Sequence, residues 1–166
     1  MNDMAAISSW SGGKDSCLAY YKAIKSGYRV KSLLNFISRE HRRCCFHGIE
    51  AGLLRLQAEL IGVPLSQKEV SPDMRKYEEE FKEAVFELKA AGARNMVFGD
   101  IYLLDHVNWV ERVCKDLDIV PIEPLWNIPA AEVIKEFIDA GFRAVIFSFK
   151  ADLLGRDFIG MCIDYQ

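Results

Sequence analysis

Nine consecutive residues, Ser8-Ser9-Trp10-Ser11-Gly12-Gly13-Lys14-Asp15-Ser16, compress a strand end, a glycine turn and a helix start. Before them, Met4-Ala5-Ala6-Ile7 is an apolar run suited to a buried strand. After them, Cys17, Tyr20, Tyr21 and Ile24 recur at the spacing of an amphipathic helix, which Gly27 can close in a left-handed cap. A strand, a glycine turn and a helix N-terminus in succession aim free backbone N–H groups and the positive end of a helix dipole at an anion. Gly12 and Gly13 permit close approach, Ser11 and Ser16 offer hydroxyls, Lys14 a mobile cation, and Asp15 a carboxylate suited to Mg²⁺.

The common phosphate-binding P-loop does not fit. Counted back from Gly13-Lys14, it requires Gly at position 8 and Ser or Thr at position 15, where this chain has Ser8 and Asp15. The stretch instead resembles the PP-loop, Ser-Gly-Gly-Xaa-Asp-Ser, of the ATP pyrophosphatases. That resemblance implies cleavage of ATP between its α- and β-phosphates, with activation of a substrate oxygen as an adenylate. The plainer alternative is a Gly-Ser turn that merely caps a helix.

Composition narrows the classes. The 166 residues suit one domain with a real core, and 51% hydrophobic content excludes a disordered chain. A net charge of -3 argues against nonspecific nucleic-acid binding. No apolar run reaches the ~18 residues of a membrane span. Met1-Asn2-Asp3 lacks a signal-peptide start, and five irregularly spaced cysteines without a C-x-x-C suit a reducing cytoplasm.

Along the chain, residues 30–37 read as a second strand and 38–46, with Arg39, His41, Arg42 and Arg43, as a mobile basic loop. A helix with Ile49, Leu53, Leu56 and Leu60 on one face follows, then a weak strand at 65–70. Tyr77, Phe81, Ala84, Val85 and Leu88 mark a long helix, and 95–98 a short strand running into Gly99-Asp100. Asp105 is placed to cap a helix with Val110, Val113 and Leu117 inside. A strand at 119–122, a helix around Val133, Ile134, Phe137 and Ile138, and a last strand at 144–147 complete the pattern. Alternation of this kind predicts an α/β fold with a parallel sheet covered on both faces. Ligands then sit at strand carboxyl ends, where Ser11–Ser16, Phe36 and Gly99-Asp100 all fall.

Further blocks narrow the resemblance. Phe46-His47-Gly48, Gly99-Asp100-Ile101-Tyr102, Asp105-His106, Trp109-Val110-Glu111-Arg112-Val113-Cys114, Pro124-Leu125-Trp126 and Gly141-Phe142-Arg143-Ala144 together resemble the diphthine–ammonia ligase family, a branch of the N-type ATP pyrophosphatases. The resemblance implies a three-layer sandwich of the adenine nucleotide α hydrolase-like (HUP, Rossmann-like) type with a five-stranded parallel core. It also implies the last step of diphthamide synthesis: ATP-dependent amidation of diphthine on elongation factor 2 with ammonium, releasing AMP and pyrophosphate. Carried over residue by residue, Ser9, Ser11, Gly12, Gly13, Lys14, Asp15, Ser16, Phe36, His47 and Gly99 would bind ATP, with Phe36 near adenine. Asp15 would contact Mg²⁺. Lys14, Asp100, His106 and Glu111 are the catalytic candidates, with His47, His106, Asp100 and Glu111 as choices for a base. Family members continue past the element matched by Gly160-Met161-Cys162-Ile163-Asp164 into a Gly-Glu-Xaa-Gly-Glu-Phe-His-Thr-like segment. This chain ends at Gln166, so a single domain spanning 1–166 without that extension is expected.

Each residue also has an ordinary reading. Asp100 is a good turn residue, His47 and His106 stand at helix starts, and Glu111 is an acceptable helix-face charge. Trp109 and Trp126 suit packing better than substrate contact, and the arginine loop either stays solvated or meets an acidic group. Two rival functions stay open: another adenylating enzyme, for example one acting on tRNA, and a non-catalytic ATP-binding module. Lys14 with Asp15 favours an enzyme, and a homo-oligomer is compatible with the sequence.

Overall fold

The computed structural model describes residues 4–45, 47–148 and 155–165, which fall into two compact units dividing after Asn127. Phe46 of the Phe46-His47-Gly48 block and the Met1-Asn2-Asp3 start lie outside the described residues.

In the first unit, strands and helices alternate without exception: β1 (Ala5–Ser9), α1 (Lys14–Lys25), β2 (Arg29–Ser38), α2 (Ala51–Ile61), β3 (Leu65–Val70), α3 (Met74–Ala90), β4 (Asn95–Val97), α4 (Leu104–Asp116) and β5 (Val120–Ile122). The strands form one sheet in the order β3-β2-β1-β4-β5, every neighbouring pair parallel. The chain thus builds outward from β1 in one direction, returns, and builds outward in the other. The reversal leaves a crevice at the carboxyl ends of β1 and β4.

The strand period of two sends successive side chains to opposite faces. Leu33 joins Trp10, Ile49, Leu54 and Ala58 on the face covered by α2. Leu34 and Phe36 join Tyr77, Phe81, Val85, Val110, Val113 and Cys114 on the face covered by α3 and α4. Both faces being buried explains why β2 carries the continuous apolar run Leu33-Leu34, Phe36-Ile37 instead of an alternating one. Helix α1 ends as its sequence predicts: Gly27 takes φ +92°, and the N–H groups of Gly27 and Tyr28 return to the carbonyls of Ile24 and Ala23. On the outer sides of α3 and α4, Glu78 accepts two hydrogen bonds from Arg112 at 2.7 and 2.6 Å, a third from Trp109 Nε1 at 3.1 Å, and pairs with Lys82 at 3.0 Å.

Four local expectations are corrected. The inner face of α2 is Leu54, Ala58 and Ile61, while Leu53, Leu56 and Leu60 are 51%, 50% and 81% exposed. Two apolar stripes compete on this helix, and Ile49 does not belong to either. It precedes the helix in extended chain, where its carbonyl accepts from Cys44 N–H and its side chain joins the core. Asp105 is not a cap, because α4 starts one residue earlier, after Leu103; its carboxylate sits in the first turn, where it favours the dipole instead. Residues 38–45 form a tight antiparallel return: Arg42 N–H donates to Ser38 O, Ser38 N–H donates to Arg43 O, Cys45 N–H reaches the Phe36 carbonyl, and Arg42 adopts φ +53°.

The fourth correction concerns the second unit. There α5 (Ala130–Asp139) buries Val133 and Phe137, and Phe137 stacks on Phe142 with ring centroids 5.2 Å apart. The segment 144–147 does not add a parallel strand to the sheet. Its backbone partners come from 160–163: Ile146 N–H to Met161 O, Gly160 N–H to Ile146 O, and Ile163 N–H to Ala144 O, with one antiparallel bridge at Val145 and Cys162. Once those groups are satisfied locally, the apolar run has no ladder to offer a sheet.

Candidate functional site

The turn after β1 is held from three sides. Trp10 is buried; its N–H donates to Leu34 O at 2.8 Å, its carbonyl accepts from Asn35 Nδ2 at 2.8 Å, and its indole Nε1 donates to Gln57 Oε1 at 3.1 Å. The other end of the Gln57 amide donates to the Gly12 carbonyl at 3.2 Å. Gly12 itself has φ +75°, and a Cβ there would lie 2.2 Å from Leu54 Cδ2 and 2.8 Å from Gln57 Oε1. Both conformation and space therefore require glycine.

Gly13 is the N-cap of α1, and no side chain caps that end. The first-turn N–H groups keep their donors for an external acceptor, with the dipole behind them. Ser11 Oγ donates to Ser16 Oγ at 3.1 Å, and Ser16 Oγ donates to Gly13 O at 3.0 Å. Lys14 Nζ bridges both oxygens of Asp15 at 2.7 and 2.8 Å. His47 closes the rim: a Cβ on Gly13 would lie 3.2 Å from its Nε2. Desolvation of that ring holds the imidazole below its ordinary pKa; Asp15 opposes the shift and Lys14 adds to it. Ser9 ends β1 and is half-buried.

The end of β4 meets this turn directly. A Cβ on Gly99 would stand 3.0 Å from both Asp15 C and Ser16 N, so the two strand ends touch through backbone. Asp100 follows, paired with His106 Nδ1 at 3.0 Å. Glu111 is exposed on α4. Just beyond β5 lies Glu123, whose Oε1 is buried without a hydrogen-bond partner among the described residues. Burial raises its pKa, and the charges of Asp100 and then Glu111 raise it further.

At the end of β2 the expected residue does not face the opening. Phe36 is buried, its ring packed on Tyr77 and Phe81 at 5.5 and 5.4 Å. Beside it opens a cavity of about 430 Å³ lined by Ser38, Arg43, Cys45, Val70 and Tyr77 among others. The Tyr77 hydroxyl is held far above its usual pKa by burial, then by Cys45, Cys44 and Asp100. Burial, then Cys44 and Glu80, push the Cys45 thiol to about 11, which keeps it protonated and a weak nucleophile. Arg39 pairs with Glu80 at 2.8 Å, Arg42 with Glu69 at 3.8 Å, and Arg43 donates to Gly48 O at 2.9 Å. Trp109 packs on Phe81 at 4.9 Å, the structural role its helix position suggested, while Trp126 is half-buried.

The family described as diphthamide synthase N-terminal domain matches residues 4–121, a stretch that contains β1 to β4, most of β5 and both strand ends of the crevice. The chain belongs to this family. Curated relatives are the diphthine–ammonia ligases of Homo sapiens (28% identical), Bos taurus (26%) and Danio rerio (23%), each aligned over 89% of this chain. The alignments cover 61%, 61% and 65% of those relatives, so the chain spans less than two thirds of their length. A solved structure from Methanocaldococcus jannaschii, described as a predicted subunit of tRNA methyltransferase, superposes with a TM-score of 0.54 at 19% identity over 82% of this chain and 76% of its own. That likeness carries the fold alone, an α/β sandwich around a five-stranded parallel sheet.

Within this family member, the crevice gathers Ser11, Gly12, Gly13, Lys14, Asp15, Ser16 and His47 on the β1 side, and Gly99, Asp100 and His106 beyond β4. Sequence reasoning missed Gln57, Tyr77 and Glu123. Two of them left a trace: Gln57 interrupts the apolar stripe Leu54, Ala58, Ile61, and Glu123 is an acid placed immediately after a strand at the ligand end of the sheet. Among the described residues, no group of three or more His, Cys, Asp or Glu side chains is arranged to hold a metal. A single carboxylate such as Asp15, paired here with Lys14, would suffice for an Mg²⁺ that arrives on phosphates, since that ion keeps most of its shell as phosphate and water oxygens. No helix of the described residues is long and apolar enough to cross a membrane.

Proposed function

We propose that the chain binds MgATP with its triphosphate on the Ser11–Ser16 turn and catalyses ATP-dependent amidation of a protein carboxylate, that of diphthine on elongation factor 2, with ammonium as nitrogen donor. The observation that carries the reading is the backbone contact of Gly99 with Asp15 and Ser16, which sets an uncapped helix N-terminus against the Asp100–His106 pair. Membership in the diphthamide synthase family supports the choice of acceptor.

A carboxylate and ammonia do not condense without a leaving group. Attack of the carboxylate oxygen on the α-phosphorus supplies one, forming a C–O–P acyl adenylate and expelling pyrophosphate. In-line displacement of this kind depends on charge stabilisation and positioning. The first-turn N–H groups of α1 and the Ser11 and Ser16 hydroxyls hold the departing phosphates. Lys14, paired with Asp15, would supply positive charge to the same oxygens, and Asp15 would be the residue to hold the nucleotide's Mg²⁺, which would neutralise phosphate charge. Neutral His47 offers a ring nitrogen at the rim without adding charge. The nucleoside lies toward the cavity at the end of β2, and the acceptor enters over β4 and β5.

The test is pyrophosphate and AMP release from ATP, Mg²⁺ and ammonium, with and without diphthine-modified factor, beside Lys14→Ala. Factor-dependent release that disappears in the variant is expected. ATP binding with no release under any condition would refute catalysis and leave a binding module.

A further inference from the structure

The carboxylates in this crevice are not equivalent. Asp15 is engaged by Lys14 on both oxygens, and Asp100 is engaged by His106. Glu111, on α4, is exposed to water. Glu123 alone of the four combines a buried carboxylate oxygen with no donor aimed at it and no cation beside it among the described residues. A buried acceptor left open in this way is costly unless something fills it. Its position is fixed: β5 carries it to the ligand end of the sheet, and the loop is tied to β4 by Phe98 N–H to Ile122 O at 2.9 Å. It lies one strand beyond Asp100, on the side away from the phosphate turn.

Resting on the ligase reading above, we propose that Glu123 is the proton acceptor for the nitrogen nucleophile. Ammonium transfers one proton to the Glu123 carboxylate and keeps the N–H electron pair as its lone pair. That lone pair attacks the acyl carbon, a C–N bond forms, and the C–O bond to AMP breaks with its electrons leaving on the phosphate. The nitrogen then loses a second proton to water, giving the neutral amide. A carboxylate of ordinary acidity is too weak a base for this work. The groups facing Glu123 correct that: burial, with Asp100 from the β4 end and Glu111 from α4, raises its proton affinity. Cys114, also on α4, interacts with Glu123, but its own thiol is pushed up to about 12 and stays neutral. Bases tuned upward in this way contribute about 10²–10⁴-fold to rate.

The experiment compares ammonium with hydroxylamine, which is already neutral at neutral pH and needs no base to expose its lone pair. With the full chain, MgATP and diphthine-modified factor, Glu123→Gln is expected to lower the ammonium-to-hydroxylamine rate ratio by about 100-fold or more. In the same variant the ammonium rate should lose the plateau set by Glu123 and keep climbing with pH as free ammonia accumulates, and Glu123→Asp should recover part of the ratio. An equal loss with both nucleophiles would show a merely structural role and overturn the proposal, as would an unchanged ratio. Factor-dependent ATP–pyrophosphate exchange by the unsubstituted chain separates the two readings. Its absence overturns the ligase reading and the Glu123 role with it, whereas exchange with an unchanged ratio overturns Glu123 alone.

Discussion

Gly12→Ala tests whether the phosphate turn is shaped by its own conformation, by α2, or by both. The added Cβ meets two separate costs. A non-glycine residue at φ +75° pays about 1–2 kcal/mol for left-handed backbone. Forcing a methyl to within 2.2 Å of Leu54 Cδ2 displaces a fully buried side chain, and overpacking of that kind costs about 1–3 kcal/mol. Stiffening of the unfolded chain returns about 0.4–1 kcal/mol, leaving a net loss of about 1 to 4.6 kcal/mol. Leu54→Ala alone removes core volume at about 2–5 kcal/mol. In the double variant the methyl added at position 12 occupies space that the Leu54 side chain vacated, so the losses should fall short of additive by about 1 kcal/mol or more. Urea unfolding of the four proteins, read by tryptophan fluorescence and by far-UV dichroism, measures the cycle. A Gly12→Ala protein within about 0.5 kcal/mol of the parent, which is the range of ordinary surface changes, would refute the argument. Strict additivity would refute the role of Leu54.

Three further outcomes follow from the geometry. Gly99→Ala should leave the sheet folded but push back the Asp15–Ser16 backbone 3.0 Å away, weakening ATP binding at least about tenfold, or 1.4 kcal/mol, in calorimetric titration; unchanged affinity would show that the two strand ends are not coupled. Glu78 titrates in the folded chain at about 2, well below its ordinary 4.5, chiefly through its hydrogen bonds from Arg112 and Lys82. Because the folded value is the lower one, the contribution is full above the ordinary carboxylate value and is lost as pH falls toward 2. Glu78→Gln should therefore flatten the acid arm of the stability curve, and an unaltered arm would count against the bridge. The His47 imidazole should titrate below its ordinary value by NMR, rising in Lys14→Ala and falling in Asp15→Asn, because those charges oppose and favour the imidazolium in turn.

The parts legible in the sequence were those with a local cause. The turn at Gly12-Gly13, the Gly27 cap and the buried strand β2 each carry their reason within a few neighbouring residues. The candidate site at the ends of β1 and β4 followed from one topological rule, the gathering of ligands at strand carboxyl ends. What escaped was decided by tertiary choice. Leu53, Leu56 and Leu60 make as good a stripe as Leu54, Ala58 and Ile61, and only the packing of the helix in the fold decides that the second is buried. Residues 144–147 are apolar enough for a sheet strand, but their hydrogen bonds go to a segment further along the chain. Phe36 ends near the opening by count, yet its ring follows the strand period into the core shared with Tyr77 and Phe81. Glu123 showed only as an acid after a strand, because its distinction is an unfilled oxygen, a property of surroundings and not of spelling.

The single amide of Gln57 works as a two-ended connector with a built-in polarity. Its oxygen end receives the Trp10 indole and its nitrogen end reaches the Gly12 carbonyl. Rotating it by half a turn would set donor against donor and acceptor against acceptor, so the amide fixes the indole orientation and the Gly12 peptide plane in one act. A carboxylate of the same shape could satisfy the indole but would face the carbonyl with like charge density, and a lysine would do the reverse. Position 57 therefore cannot drift through the usual exchange of amide for acid without releasing one side of the turn.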